Sequence, residues 1–571
     1  MPRITKIFPI IFTLFWLVAC RQTTELPLYT INKSAQSDTA MVVSAHPLAT
    51  EAGLSVLKNG GNAVDAVVAV QFALAVVYPR AGNLGGGGFM VIRSTDGSIS
   101  SLDYREKAPA SAHRDMYLDS AGNVVQGLST AGPLASGIPG TVDGLLDAHA
   151  KMGRLPLSAL IQPAIDLARN GYRLTEAEVN RLNQNREAFE QYNKLPIAFV
   201  KAVPWQIGDL LVQPELAVTL ERIRDLGRSG FYEGPTAAAI ASTMQQGGGI
   251  ISMEDLAAYR SQWRRPVTGN FKNYRIISMP PPSSGGIALL QLLELVEPYD
   301  LKGMGFQSPA TVHLMAEAER RVYADRAQHL GDTDFYPTPV DSLMQPAYLI
   351  SRMSDFDPAQ ATPSNKVAAG DFKVTLESFE TTHTSVIDAD GNAVSCTTTL
   401  NSNFGSKVVV QQAGFFLNNE MDDFSVKPGE PNQFGLVGAE ANAIAPGKRM
   451  LSSMTPTIIE KDGQLFMVLG APGGSTIITA VFQVFINVAE FGMPLDKAVE
   501  AGRFHHQWLP DQIMVETGSL NEATRQQLTS MGHQLNEVKY MAVVKAIQVL
   551  PDGQLHGAGD PRNPDDHAAG Y

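Results

Sequence analysis

A mixed α/β protein, its sheets covered by helices, is what this 571-residue chain predicts. Two observations carry that expectation. Asp390-Gly391, Lys461-Asp462-Gly463 and Pro551-Asp552-Gly553 each lie between short β-prone runs, which marks three hairpins. Around residues 477–491 and over much of the rest of the chain, apolar residues recur at helical spacing. A helix with an apolar face needs a sheet or another helix to bury it.

The elements follow in order. Arg3 and Lys6 precede an apolar run over residues 7–19, too short for a membrane span of about 20 residues. A charged start, a short apolar stretch and small residues before a cut describe a secretory signal. Leu17-Val18-Ala19-Cys20 resembles a bacterial lipoprotein box, in which the cysteine is lipidated and becomes the first mature residue. Arg21 in place of Asp gives no mark of inner-membrane retention. Export is expected, to the periplasm, with Cys20 holding the chain at the outer membrane; an ordinary signal with a chance cysteine stays open. Residues 21–37 are polar and pattern-free and read as a tether. A helix over 50–58 stops at Asn59-Gly60-Gly61. The next, 63–77, is apolar nearly all round and short, which suits a buried helix better than a membrane span. Gly85 to Gly88 lead into a strand over 89–92. Residues 155–350 read as mostly helical, interrupted at 280–286 before a helix over 287–296. Residues 358–370 are loop-like, and a boundary falls near 380.

Composition excludes some functions. Asp and Glu outnumber Lys and Arg 57 to 44, and no basic run stands out, so nucleic acid is not an expected partner. Cys20 and Cys396 are the only cysteines; with Cys20 lipidated there is neither an intramolecular disulfide nor a cysteine zinc site. The glycine run lacks the Lys-Ser/Thr of a phosphate loop and reads as close chain packing. His505-His506 are adjacent and have no helix-spaced partner, so no metal and no cofactor are expected.

The chemistry centres on Glu380-Thr381-Thr382-His383, at the start of a strand. A threonine hydroxyl is a poor nucleophile without a base. An N-terminal threonine carries one, its own α-amine, with an ordinary pKa of about 7.7–8.0. Inside an intact chain that nitrogen is an amide, so the chemistry requires a break between Glu380 and Thr381. The short motif alone is weak, because threonines are common in strands. The constellation is not: Thr381 to Val386, Asp390-Gly391-Asn392, Thr399-Leu400-Asn401, Leu417 to Ser425, Leu451 to Pro456, Gly470 to Ser475 and the final Gly570-Tyr571 resemble the γ-glutamyltransferase signature. Asp103-Tyr104-Arg105-Glu106 and Gly137 to Thr141 match as well, and the likeness spans about residues 40–571.

That resemblance implies an N-terminal-nucleophile hydrolase: a four-layer αββα sandwich, self-cleaved into a large subunit (21–380) and a small catalytic one (381–571) that stay together. It implies γ-glutamyl substrates such as glutathione, with water, an amino acid or a dipeptide as acceptor. By position, Thr399 orients Thr381, Asn401 contacts substrate, and Gly473 and Gly474 hold the oxyanion. Arg105, Ser452 and Ser453 take the α-carboxylate; Glu420 and Asp423 take the α-ammonium. Glu420 stands where some bacterial members carry glutamine. Residues 428–438 resemble a lid loop, with Phe434 where a tyrosine is common. Residues Ala81-Gly82-Asn83-Leu84 also depart from the usual pattern, leaving the role of that strand edge open. Two other readings remain: a glutaryl-type acylase of the same fold, and a surface lipoprotein that binds peptides without catalysis.

Overall fold

A computed structural model describes residues 28–367, 381–430, 432 and 438–571; the signal segment with Cys20, the cleavage residue Glu380 and Phe434 lie outside them. Two seven-stranded sheets, antiparallel throughout, form the centre. One runs in the order Ser34–Ser37, Leu555–Gly559, Lys545–Val549, Gln464–Gly470, Thr457–Lys461, Tyr274–Ser278, Val267–Phe271. The other runs His567–Gly570, Met41–Ser44, Thr381–Ile387, Ala393–Thr399, Gly87–Arg93, Ile99–Asp103, Gln262–Arg264. All three hairpins expected from the turn signals are present.

Strand alternation explains how the layers stack. Side chains of a strand point to opposite faces at every step. In the second sheet Val42, Met90, Ile92 and Val394 join one core, shared with the helices Pro47–Lys58 and Ala63–Val77. Met41, Val43, Phe89 and Val91 join the other, with Val468 and Ile547 of the facing sheet. Helices Gly285–Val296, Pro309–His329 and Thr476–Ala489 cover that sheet's far side. The order is helix, sheet, sheet, helix, as the resemblance implied. Hydroxyls stitch the two sheets: Ser395 Oγ donates to the Leu469 carbonyl at 2.9 Å, and Ser385 Oγ to that of Lys545 at 3.2 Å.

The apolar helix Ala63–Val77 is buried at every residue and opens with a reciprocal Asn62–Asp65 capping box. Among the described residues no helix is long and apolar enough to cross a membrane.

Two expectations need correction. The tether does not run to Ser37, because Ser34–Ser37 forms an edge strand on Leu555–Gly559. Backbone hydrogen bonds suffice for such an edge, so the polar Ser-Ala-Gln-Ser gives no apolar signal. The middle region is mostly helical, as read, but it also holds three strands that the reading missed, Gln262–Arg264, Val267–Phe271 and Tyr274–Ser278. Gly269, Asn270 and Arg275 dilute their alternation; Val267–Phe271 and Tyr274–Ser278 form a hairpin, while Gln262–Arg264 and the other side of Tyr274–Ser278 pair with strands far off in sequence.

Candidate active site

Thr381 opens an inner strand of its sheet, in register with Thr399 on the central strand beside it. Its hydroxyl lies 3.4 Å from that of Thr399, which also accepts the Asn401 N–H at 2.7 Å. The chain turns sharply there, with Asn401 at φ +74°, and its side chain donates to the Asn419 carbonyl at 3.0 Å. Asn83 holds Thr399 from behind: its Nδ2 donates to the Thr399 carbonyl at 2.9 Å, while its Oδ1 accepts from the Gly86 N–H and the Thr141 hydroxyl. A Cβ at Gly86 would stand 2.0 Å from the Thr399 carbonyl oxygen. The glycine run therefore does pack backbone against backbone, directly behind the nucleophile.

On one side of Thr381 a cavity is lined by Thr399, Asn401, Asp423, Ser452, Ser453 and Gly474, with Arg105 at its end. Glu420 sits behind Arg105. The guanidinium reaches Glu420 Oε2 at 2.7 Å, pairs closely with Asp423, and donates to the Leu451 carbonyl at 3.2 Å. Asp103 fixes the arginine's backbone by accepting its N–H at 2.9 Å, and is itself held by Arg264 and Arg449. Burial by itself would lower the Arg105 pKa, but Glu420, Asp423 and Glu106 together raise it. Burial pushes Glu420 well above the usual carboxylate range, against the pull of Arg105 and of the Thr399 hydroxyl, and raises Asp423 too. Three carboxyls thus face one guanidinium in a largely buried cluster, and a cation placed among them would favour their ionised forms. The residues that the sequence assigned to opposite ends of a zwitterion touch one another directly.

Behind the oxyanion expectation lies a helix terminus. Gly473 and Gly474, at φ +142° and +54°, precede the helix Thr476–Ala489, and their carbonyls accept the Thr476 and Ile477 N–H groups. The N-terminal, positive end of that helix borders the cavities that Thr381 lines, through Gly473, Gly474 and Ile477. A Cβ at Gly473 would lie 2.6 Å from Ala542 Cα, so no other residue fits. Gly473 and Thr381 border a second cavity, with Arg80, Arg181, Tyr540 and Asp565 in its wall. Lys33 shapes that wall, its ammonium donating to the carbonyls of Pro564 at 2.8 Å, Asp566 at 2.9 Å and Asn563 at 2.5 Å.

Every described residue assigned from sequence thus falls at this centre. Sequence reasoning missed three that the fold brings in. Asn83 carried a signal, its departure from the usual pattern. Arg326, on Pro309–His329, donates to Ser453 Oγ and Ser284 Oγ, both at 2.9 Å, so it orients one of the two serines. Nothing in a sequence separates such a buried arginine from a surface one. Lys33 lay in the segment read as tether. Of the lid-like stretch, Asn432 and Gly438 line the first cavity. His505 and His506 hold different partners, Thr479 and Gln507 for one, Trp508 N–H for the other.

The family described as Gamma-glutamyltranspeptidase matches residues 49–570. A glutathione hydrolase proenzyme of Escherichia coli (strain K12) is 48% identical over 533 residues, 93% of this chain and 92% of that protein. The cephalosporin acylase structure from Bacillus halodurans superposes with a TM-score of 0.82 at 26% identity, covering 96% of this chain and 98% of its own. The Helicobacter pylori gamma-glutamyltranspeptidase structure is 48% identical at a TM-score of 0.56, over 57% of this chain and 94% of that one.

Proposed function

This chain belongs to the gamma-glutamyltranspeptidase family, and from that premise we propose that it is a self-processing γ-glutamyltransferase and glutathione hydrolase. Thr381 first attacks the Glu380 carbonyl; the peptide bond shifts to an ester, and water releases the chain, leaving residues 381–571 as the small subunit. The freed α-amine then takes the proton from the Thr381 hydroxyl as it attacks the γ-carbonyl of the donor. Thr399 holds the hydroxyl in line, and the Gly473 and Gly474 N–H groups receive the oxyanion. The amine returns the proton to the leaving nitrogen, cysteinylglycine when glutathione is the donor. Water, or the amine of an amino acid or dipeptide entering through the second cavity, then releases the γ-glutamyl ester.

The observation that carries this reading is the position of Thr381 where the two cavities meet, one of them ending in a cluster of both charges. Arg105, with Ser452 and Ser453, takes the donor's α-carboxylate; Glu420 and Asp423 take its α-ammonium, and Asn401 flanks them. The test is N-terminal sequencing of the smaller fragment, which should begin Thr-Thr-His-Thr, combined with glutamate release from glutathione. A single unbroken polypeptide with full activity overturns the proposal.

A second reading, a glutaryl-type acylase, draws on the fold shared with the Bacillus halodurans acylase. A glutaryl group lacks the ammonium that the two carboxylates would hold. Turnover of γ-glutamyl-p-nitroanilide without turnover of glutaryl amides decides against it. The chain is further read as exported to the periplasm and fixed to the outer membrane through lipid on Cys20; a lipid mass on the N-terminal peptide checks this.

A further inference from the structure

Half of the large apolar side chains exposed among the described residues come from one stretch, residues 195–226. Leu195, Val203, Ile207 and Leu210 are 58, 62, 62 and 49% exposed. Two hollows that share Pro196 and Ile197 and one strand pair join parts of this stretch. Val212 borders a groove with Pro196 and Phe199, and Leu195 borders the neighbouring hollow through Pro196. Leu210 pairs with Arg173, whose guanidinium donates to the Gly208 carbonyl at 2.9 Å, beside Ile207. Contiguous apolar surface of this kind marks a docking face.

The chain itself says what covers it. Tyr29, the second described residue, is fixed at this same place: its hydroxyl donates to the Arg173 carbonyl at 2.7 Å and accepts the Arg173 N–H at 3.1 Å. Leu28 beside it is also exposed. Nine residue steps separate Cys20 from Tyr29, so a lipid on Cys20 stays within about 30 Å of the apolar face at full extension. Charge does not oppose contact with a headgroup surface. Over residues 186–212, Arg186, Lys194 and Lys201 balance Glu187, Glu190 and Asp209, although the whole chain stands at −13. Lys194 precedes Leu195 directly, where its long stem can reach a headgroup layer, while Lys201 is held by Asp209 and the Trp205 ring.

From these contacts we propose that the face formed by Leu195, Val203, Ile207, Leu210 and Val212 rests on the phospholipid bilayer that holds Cys20, an inference that depends on the lipid anchor proposed above. The anchor supplies the binding; the face sets the orientation, turning this side of the large subunit to the membrane.

The test uses the full lipidated chain in vesicles of phosphatidylethanolamine and phosphatidylglycerol containing brominated lipid. Ile207→Trp reports on this face, and Phe335→Trp, at a position 49% exposed elsewhere, serves as control. After subtraction of the parent signal, the Ile207→Trp fluorescence should be quenched about threefold more strongly than the control, as insertion into the headgroup boundary requires. Unchanged γ-glutamyl activity certifies that both variants fold. Equal quenching overturns the inference while leaving the anchor intact. Cross-linking of Ile207 to a second copy on the vesicle also overturns it. A Cys20 peptide without lipid mass removes the anchor itself, a different failure seen in a different measurement.

Discussion

The two cavities that meet at Thr381 are built on different principles. The first buries its charges: Arg105 is enclosed by Glu420, Asp423 and Glu106, and Asp103 fixes its backbone. The second is walled largely by loop residues and held in shape by Lys33 on three backbone carbonyls. Charges held in a dry site discriminate strongly, because a ligand lacking their partner leaves them unpaired. The second cavity also presents charge, from Arg80, Glu178, Arg181, Arg562 and Asp565, but on a wall whose shape rests on backbone contacts. On the proposed function, the first cavity discriminates among donors and the second receives the acceptor.

The largest expected effect removes what both sides share. Thr381→Ala should leave one uncut band on a denaturing gel and lower activity by about 10⁴-fold or more, as loss of a nucleophile does. Arg105→Lys comes next. A lysine offers one point charge where the guanidinium serves two carboxyls, so kcat/KM for γ-glutamyl donors should drop about 100-fold or more, with processing intact. If that variant keeps its donor efficiency, the first cavity is not the discriminating one.

A pH experiment sharpens the same contrast. Burial raises the Glu420 carboxyl, so in the free site it holds its proton to higher pH than an ordinary carboxyl. A donor ammonium requires the ionised form; binding therefore releases a proton, and KM for γ-glutamyl donors should rise as pH falls. Titration calorimetry in two buffers of different ionisation enthalpy reads the proton directly, and Glu420→Gln should reduce the difference, leaving only what Asp423 and Glu106 contribute. The smallest effect belongs to the second cavity. Lys33→Met should raise KM for dipeptide acceptors about threefold, the scale of a shared hydrogen bond, with hydrolysis unchanged. Equal loss in hydrolysis would show that the loop serves the whole centre.

Residue type and order by themselves determined much here. Turn chemistry located the three hairpins, because Asp-Gly sequences favour the backbone angles of tight turns. The buried helix 63–77 was legible because a short run apolar on every side has nowhere else to go. Thr381, Thr399, Gly473, Gly474, Arg105, Glu420, Asp423, Ser452 and Ser453 were named from motifs. Only the tertiary structure decided how they meet. It paired Arg105 with the carboxylates assigned to the other end of the ligand, across 318 residues in the case of Asp423. It set Asn83 behind Thr399 and made Lys33 a support for a loop more than 500 residues away. The physical reason is that turns and periodicity act between near neighbours. Ion pairs and carbonyl contacts between distant segments exist only once both sheets have stacked, and strands such as Ser34–Ser37 or Gln262–Arg264 are held by partners that local pattern does not reveal.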